Sequence, residues 1–143
     1  MKGSFLARKP FRPVGRLVGW LVPILVSLFI LSCGDPLSDP EVQKQRESVP
    51  DQFRPGFDQY VVNNCQACHG LRGGGDGPLN KSRRFDTPNF RQADSYRHGS
   101  SIAEIRNSIE FGVNGGRTGM QAYQNIGPDN LTAIAQYIRW LQQ

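Results

Sequence analysis

The amino-acid sequence predicts a small all-α fold for its C-terminal part. Three helical segments are predicted, and two of them, 101–111 and 128–141, place apolar residues at helical spacing. The stretches between the helices are rich in Gly, Pro and polar residues, which is typical of loops. These observations predict one domain over residues 53–143, formed by short helices and long connections.

The first predicted helix runs from Phe57 to Ala67. A glycine-rich loop follows from Gly70 to Asn80, with Gly-Gly-Gly-Asp-Gly-Pro at its centre. Residues 81–99 include Pro88, scattered Arg and little periodicity, so we expect them to be mostly irregular.

The other two helices have recognisable starts. Ser101 is followed three residues later by Glu104, a capping-box pattern that starts a helix ending at Gly112. Pro128 is at a position where proline opens a helix. The residues expected on the buried faces are Ile102, Ile105 and Ile109 in the second helix and Leu131, Ile134, Ala135, Ile138 and Leu141 in the last.

The predicted domain has few apolar residues for its size. About 90 residues with three short helices form only a small core, since much of the length is loop. We therefore expect a buried cofactor to complete the core.

The N-terminal sequence indicates an export signal. Five of the 17 basic residues precede an apolar run over 17–31, which is shorter than the ~20 residues of a usual spanning helix. The run ends Ile30-Leu31-Ser32-Cys33-Gly34, which resembles a bacterial lipobox, so residues 1–32 are predicted to be a lipoprotein signal peptide. Lipid on Cys33 would anchor the protein on the periplasmic side of a bacterial membrane. An uncleaved membrane anchor is the alternative.

Residues 33–52 are rich in Asp, Pro, Ser, Glu, Gln and Lys. Such a composition cannot bury enough apolar surface to fold alone, so the segment is predicted to be a flexible tether with a reach of about 25 Å. It would let the domain swing between partners or act as a plain spacer.

The charge distribution argues against a nucleic-acid partner. The chain carries a formal charge of +5, but residues 33–143 contain 12 basic and 12 acidic residues. The whole excess belongs to the export signal, and the remainder is formally neutral.

The sequence Cys65-Gln66-Ala67-Cys68-His69 is the strongest motif. Thiols three residues apart on a helical turn share a face and can both attach to one haem, and the adjacent His69 becomes a ligand of its iron. A redox dithiol does not need this histidine. A zinc site needs two further Cys or His ligands, and only His98 remains.

The second iron ligand is predicted to be Met120. It is the only methionine besides Met1, and it follows Gly115, Gly116 and Gly119, which let a backbone approach the haem closely. Tyr123 can pack over the ring edge. A lone Met often fills a core, and His98 or water are the other candidates. The polar surroundings of His98 favour a surface position.

From Gly56 to the C-terminus the chain resembles a class I cytochrome c, a small protein with one haem and His/Met ligation. The resemblance rests on the order helix, CxxCH, Gly-Pro loop, helix, Met loop and closing helix, which ends Tyr137-Ile138-Arg139-Trp140-Leu141. It implies an all-α class I cytochrome c fold wrapped around one covalently bound haem c with iron.

The resemblance also implies roles for residues near the haem. In that family a loop Pro carbonyl accepts the N–H of the iron-bound imidazole, and the matching residue is Pro78. The first and last helices cross beside the haem, here with Tyr137 at the contact. Val61 stands where the family usually has an aromatic residue, with Tyr60 one position earlier, and Gln121 follows the loop methionine where Pro is common.

His/Met ligation leaves no open coordination position on the iron and raises its reduction potential relative to two-histidine ligation. The sequence offers no catalytic carboxylate pair, no nucleophile with a base and no additional metal site. We therefore expect a single-electron carrier and not an enzyme, with no small-molecule substrate. A haem enzyme, peroxidase-like or sulfur-oxidising, in which Met120 dissociates is the alternative. A haem-based sensor is disfavoured because no output domain is visible.

The expected partners are redox proteins of a respiratory or photosynthetic chain. The lipobox and the Met loop resemble the monohaem lipoprotein subunit of alternative complex III, and also small cytochromes associated with haem-copper oxidases. Between Arg72 and Arg106, seven basic residues face four acidic ones. The basic residues would attract an acidic partner, form hydrogen bonds with the haem propionates or face water.

Overall fold

The computed structural model describes residues 34–116 and 119–143, and in these ranges it contains helices and no strand. The all-α prediction is therefore confirmed. The α-helices, numbered in chain order, are α1 (Pro40–Glu47), α2 (Arg54–Val62), α3 (Gln66–His69), α4 (Pro78–Arg83), α5 (Ile102–Phe111) and α6 (Pro128–Trp140). Short 3-10 turns cover Pro36–Ser38, Asp51–Phe53, Ala93–Ser95 and Asn114–Gly116.

The first predicted helix, 57–67, is two helices in the structure. Helix α2 begins at Arg54, earlier than predicted, and ends at Val62. Asn64 has a positive φ of 59°, in the left-handed region that Asn tolerates better than most residues. This turn separates α2 from α3, so Cys65 caps a separate short helix and Cys68 lies within it.

Helix α4 was not predicted, because six residues are too few to show a period. Pro78 is its first residue, where the missing N–H costs no helical hydrogen bond, and Arg84 ends it in the left-handed conformation with φ 53°. Residues 85–101 contain only the short turn at Ala93–Ser95, so the expectation of an irregular segment is confirmed there.

Helix α5 has the predicted capping box. The N–H of Glu104 donates to Ser101 Oγ (3.3 Å), and the N–H of Ser101 donates to Glu104 Oε2 (3.0 Å). Ile105 and Ile109 are buried, but Ile102 is 39% exposed, so its predicted place in the buried stripe was wrong. It is the first residue of the helix and lies beyond the packed face.

Helices α2 and α6 cross at Gly56. A Cβ at this position would overlap the carbonyl oxygen of Ala133 and lie 2.8 Å from the Cβ of Tyr137. The ring of Tyr137 makes edge contacts with Phe57 (5.5 Å between centroids) and Tyr60 (5.4 Å). Tyr60 thus supplies the aromatic contact at the crossing, one residue before Val61.

The segment predicted as a flexible tether is folded in the structure from residue 36 onward. We call residues 36–53 the N-terminal strap; it contains α1 and the turns on either side. Val42 and Val49 join the hydrophobic core, with exposed fractions of 8% and 1%, and Leu37 packs against it. The composition is polar overall, but these few apolar residues pack on a core formed by the rest of the domain, and composition alone does not report such a core.

Residues 35–143 form one compact unit. The core lies between α2, α5 and α6, and the buried residues of α6 are Leu131, Ile134, Ala135, Tyr137 and Ile138. Within the described ranges, no helix combines the length and apolarity that crossing a bilayer requires. The predicted signal peptide and Cys33 lie outside the described residues.

Candidate haem site

The two cysteines of the CxxCH sequence are presented by the turn from α2 into α3. Cys65 precedes α3 as its N-cap residue, and its N–H donates to the carbonyl of Tyr60 (3.0 Å), which ties the turn to α2. The N–H of Gly77 donates to the carbonyl of Cys68 (3.1 Å). A Cβ on Gly77 would meet the carbonyls of Gln66 and Ala67. A glycine is therefore needed for the loop to pack this closely on α3.

One cavity gathers most of the predicted site residues. Cys65, Cys68, His69, Met120 and Tyr123 all line it, whereas Pro78 does not. Much of the rest of the wall is apolar and comes from α5, α6 and the loop before α5: Ile105, Ile109, Ile134, Ile138, Phe85 and Phe90.

His69 is held in a neutral form by its surroundings. Burial lowers the pKa of its imidazole to about 4, because a charged ring would lose its hydration. The ring stacks on Phe90 with centroids 4.4 Å apart and planes 17° from parallel. A neutral imidazole is the form that binds a metal ion.

The expected hydrogen bond from His69 to Pro78 is not present in this structure. The Nδ1 of His69 is buried and has no hydrogen-bond partner. Pro78 is exposed and is the first residue of α4, so its carbonyl points along that helix toward the following turn. The stacking on Phe90 instead fixes the orientation of the imidazole.

Three further ionisable groups of the cavity have pKa values raised by burial. Burial raises the pKa of the Cys65 thiol to about 12, so the thiol is protonated at neutral pH. Burial likewise raises the pKa values of the Tyr60 and Tyr123 hydroxyls. The hydroxyl of Tyr60 donates to the carbonyl of Gly70 at 2.7 Å, directly after the CxxCH sequence.

Met120 lies on a loop that is fastened to the end of α5. The N–H of Val113 donates to the carbonyl of Met120 (3.2 Å), and the N–H of Tyr123 donates to the carbonyl of Ile109 (3.0 Å). Gly112 has a φ of 74° and packs so closely on the loop that an added Cβ would lie 2.9 Å from the Met120 carbonyl oxygen. The two attachments place Met120 and Tyr123 on the cavity wall.

His98 also lines the cavity, and its side chain is exposed, as expected for a surface histidine. Of the basic residues near it, Arg97 forms an ion pair with Asp86, and both of these residues line the cavity. Lys81, Arg83 and Arg84 are exposed and make no ion pair within the described part of the chain.

Two aromatic residues of the site were not predicted. Phe90 stacks on the ring of His69. Phe85 packs on Gly119, and a Cβ added to Gly119 would lie 2.8 Å from the ring of Phe85. Both come from the irregular stretch after α4, where no periodicity marks a buried side. The only signal in the sequence was the presence of large apolar residues in an otherwise polar segment.

The cavity fits a covalently attached haem. The space between its lining atoms is about 1020 Å³ when the part open to solvent is counted, against roughly 300–1,000 Å³ for typical ligand pockets. Its wall carries two free thiols, a neutral imidazole and a thioether in largely apolar surroundings. This donor set matches thioether attachment and iron ligation.

A helical domain that presents a CxxCH turn to one apolar cavity belongs to the class of c-type haem proteins. Residues 53–142 match the family described as Cytochrome c, and the chain belongs to that family. It therefore binds covalent haem c with iron and is a haem-containing electron carrier; members of this family are typically carriers and not enzymes. Comparisons with curated proteins and with solved structures gave no match.

Proposed function

We propose that this protein is a single-electron carrier in which His69 and Met120 ligate the iron of one haem c bound to Cys65 and Cys68. The observation that carries the proposal is the shared cavity, which has all four side chains on its wall. When bound, the haem supplies reversible one-electron oxidation and reduction. The apolar side chains around it exclude water.

Each ligand has a supporting contact. His69 is kept neutral by burial and is oriented by the ring of Phe90. The position of Met120 is set by main-chain bonds to α5, so it does not depend on the residue after it, which is Gln121 here instead of the family's common Pro. Two protein ligands leave no open position for a substrate, which favours outer-sphere transfer.

Replacing Met120 by Ala tests the ligand assignment. We expect loss of the charge-transfer absorption band of sulfur-ligated ferric haem and a lower reduction potential, because thioether ligation raises the potential. His98→Ala is the matched control, since His98 lines the same cavity, and it should change neither property. Absence of the band from the wild type, or a spectrum and potential that change in His98→Ala but not in Met120→Ala, would show that the assignment of the second ligand is wrong.

We further propose that lipid on Cys33 tethers the protein to a membrane on the periplasmic side. The support is the lipobox-like sequence at 30–34 after a basic and apolar N-terminus. Mass spectrometry of the purified protein should show an N-terminus at Cys33 carrying acyl chains and one haem. A polypeptide that retains residues 1–32 without lipid would exclude this anchor.

The proposed partners are redox proteins of a respiratory or photosynthetic chain, with the carrier acting as a free shuttle or as a subunit of a quinol-oxidising or oxidase complex. The support is the family membership together with the resemblance in the Met loop and lipobox. Purification from membranes in mild detergent distinguishes the two arrangements, since a subunit would co-purify with its complex and a shuttle would leave alone.

A further inference from the structure

The N-terminal strap is bound to the haem domain by apolar contacts. Val49 is almost fully buried and Val42 nearly so, and Leu37 packs against the same core. Helix α1 has only eight residues, which is too short to be stable alone in water. Its helical structure therefore depends on packing against the domain.

Polar contacts fix the strap in one position. The guanidinium of Arg46 donates two hydrogen bonds to the carboxylate of Asp58 in α2, at 2.6 and 2.8 Å. This bidentate geometry is the most directional form of an ion pair. The side chain of Arg54 donates to the carbonyl of Val49 (3.0 Å), and that of Arg72 donates to Gln45 (3.0 Å).

Docking of the strap shortens the link to the proposed anchor. Only Gly34 and Asp35 separate Cys33 from the first turn of the strap at Pro36. Three Cα–Cα steps span at most about 11 Å, whereas a free tether of about 20 residues would have a coil-like reach of about 25 Å and could extend much further. A docked strap removes most of the freedom to swing.

We infer that the strap is a permanent part of the domain, so that the proposed anchor holds the domain close to the membrane, and that the electron partner is a membrane-bound redox protein. A domain with so short a link cannot move far from the bilayer. Tethering therefore favours encounters with a membrane-bound partner and does not favour encounters with a partner free in solution. This inference rests on the proposed lipid on Cys33, but the docking of the strap does not.

Hydrogen exchange tests the docking in the full-length, haem-loaded, lipidated protein in vesicles of phosphatidylethanolamine and phosphatidylglycerol. The amides of residues 42–49 should exchange at least about 100-fold more slowly than those of a free peptide of the same sequence. Arg46→Gln should speed their exchange about tenfold or more. Lys44→Gln removes the same charge from an exposed position on the same helix and should leave it unchanged.

Exchange at the free-peptide rate in the wild type would overturn the inference, as would equal effects of Arg46→Gln and Lys44→Gln. The haem absorption spectrum of each variant shows whether the cavity is intact. Asp58→Asn removes the other half of the ion pair and should reproduce the effect of Arg46→Gln.

The partner is tested by lengthening the link. An 18-residue Gly/Ser insertion between Gly34 and Asp35 keeps Asp35, which caps the first turn of the strap, and raises the free link from two residues to about 20. Effective concentration falls with roughly the −3/2 power of linker length, so the rate of haem reduction by the native membranes should fall about 30-fold. Oxidation by added ferricyanide, a small soluble reagent, should not change.

A rate with native membranes that is unchanged or faster after the insertion would overturn the membrane-bound partner. The outcome is separable from that for the lipid anchor. Protected amides at 42–49 in a protein without lipid would refute the anchor and leave the docked strap, whereas a lipidated protein with unprotected amides would refute the strap alone.

Discussion

Replacing Gly56 by Ser tests the helix crossing that supports the haem cavity. A Cβ at this position would overlap the carbonyl oxygen of Ala133 and approach Tyr137, so α2 and α6 would have to separate. Overpacking costs about 1–3 kcal/mol, and because the clash is with backbone and not with a flexible side chain, we expect a loss of about 2 kcal/mol. For a domain of this size, that corresponds to a fall in Tm of about 10 °C.

Gly127→Ser is the matched control. Gly127 is the N-cap residue of α6 and has no heavy atom within 4 Å of an added Cβ, and Ser is a preferred N-cap residue. Thermal unfolding of both haem-loaded variants, followed by circular dichroism and by haem absorbance, provides the comparison. A Gly56→Ser protein that unfolds at the same temperature as Gly127→Ser would show that the two helices do not approach as closely as described.

Two further predictions concern stability. Tyr60→Phe should lower the free energy of unfolding in urea by about 1 kcal/mol, because the carbonyl of Gly70 loses the hydrogen bond from the buried hydroxyl and keeps only the one from the N–H of Gly73 (3.1 Å); an unchanged value would show that the hydroxyl contributes nothing to stability. Hydrogen bonds from Ser101 lower the pKa of Glu104, so the stability they add is present above the ordinary Glu pKa and is lost as the pH falls through the lowered pKa. Ser101→Ala should therefore flatten the acid side of the stability profile, and a parallel profile would contradict this assignment.

The sequence predicted those helices whose buried face repeats at a helical period. For α5 and α6 the period, the capping box at Ser101 and the opening Pro128 each appear in the structure near the predicted position. The break at Asn64 was missed because it depends on one residue adopting a left-handed conformation, which Asn permits without requiring.

The prediction of a flexible tether over residues 33–52 failed for a different reason. Composition describes whether a segment can fold alone, and residues 36–53 cannot. Val42, Val49 and Arg46 instead pack on the folded domain, with Arg46 bound to Asp58 in the next helix, and the composition of the strap does not report that surface. The same limit applies to Phe90, whose contact with His69 depends on how the loop after α4 returns to the cavity.

The motif residues of the site were predictable because their chemistry fixes their spacing. Cys65, Cys68 and His69 must share one helical turn, and the structure places them together on the cavity wall. The contact implied for Pro78 was carried over from the resemblance and not from chemistry within the chain, and here the Nδ1 of His69 has no partner.

The attachment of the Met120 loop to α5 has a consequence for the order in which the protein opens. Because the loop is bonded to the carbonyl of Ile109 and to the N–H of Val113, unravelling the last turn of α5 would release it while α2 and α6 stay packed. Proteins open in such cooperative units at free energies below that of global unfolding. Residues 109–113 and 120–123 would then open together as one unit. The time for which the sulfur of Met120 stays in the cavity would be set by the stability of the end of α5.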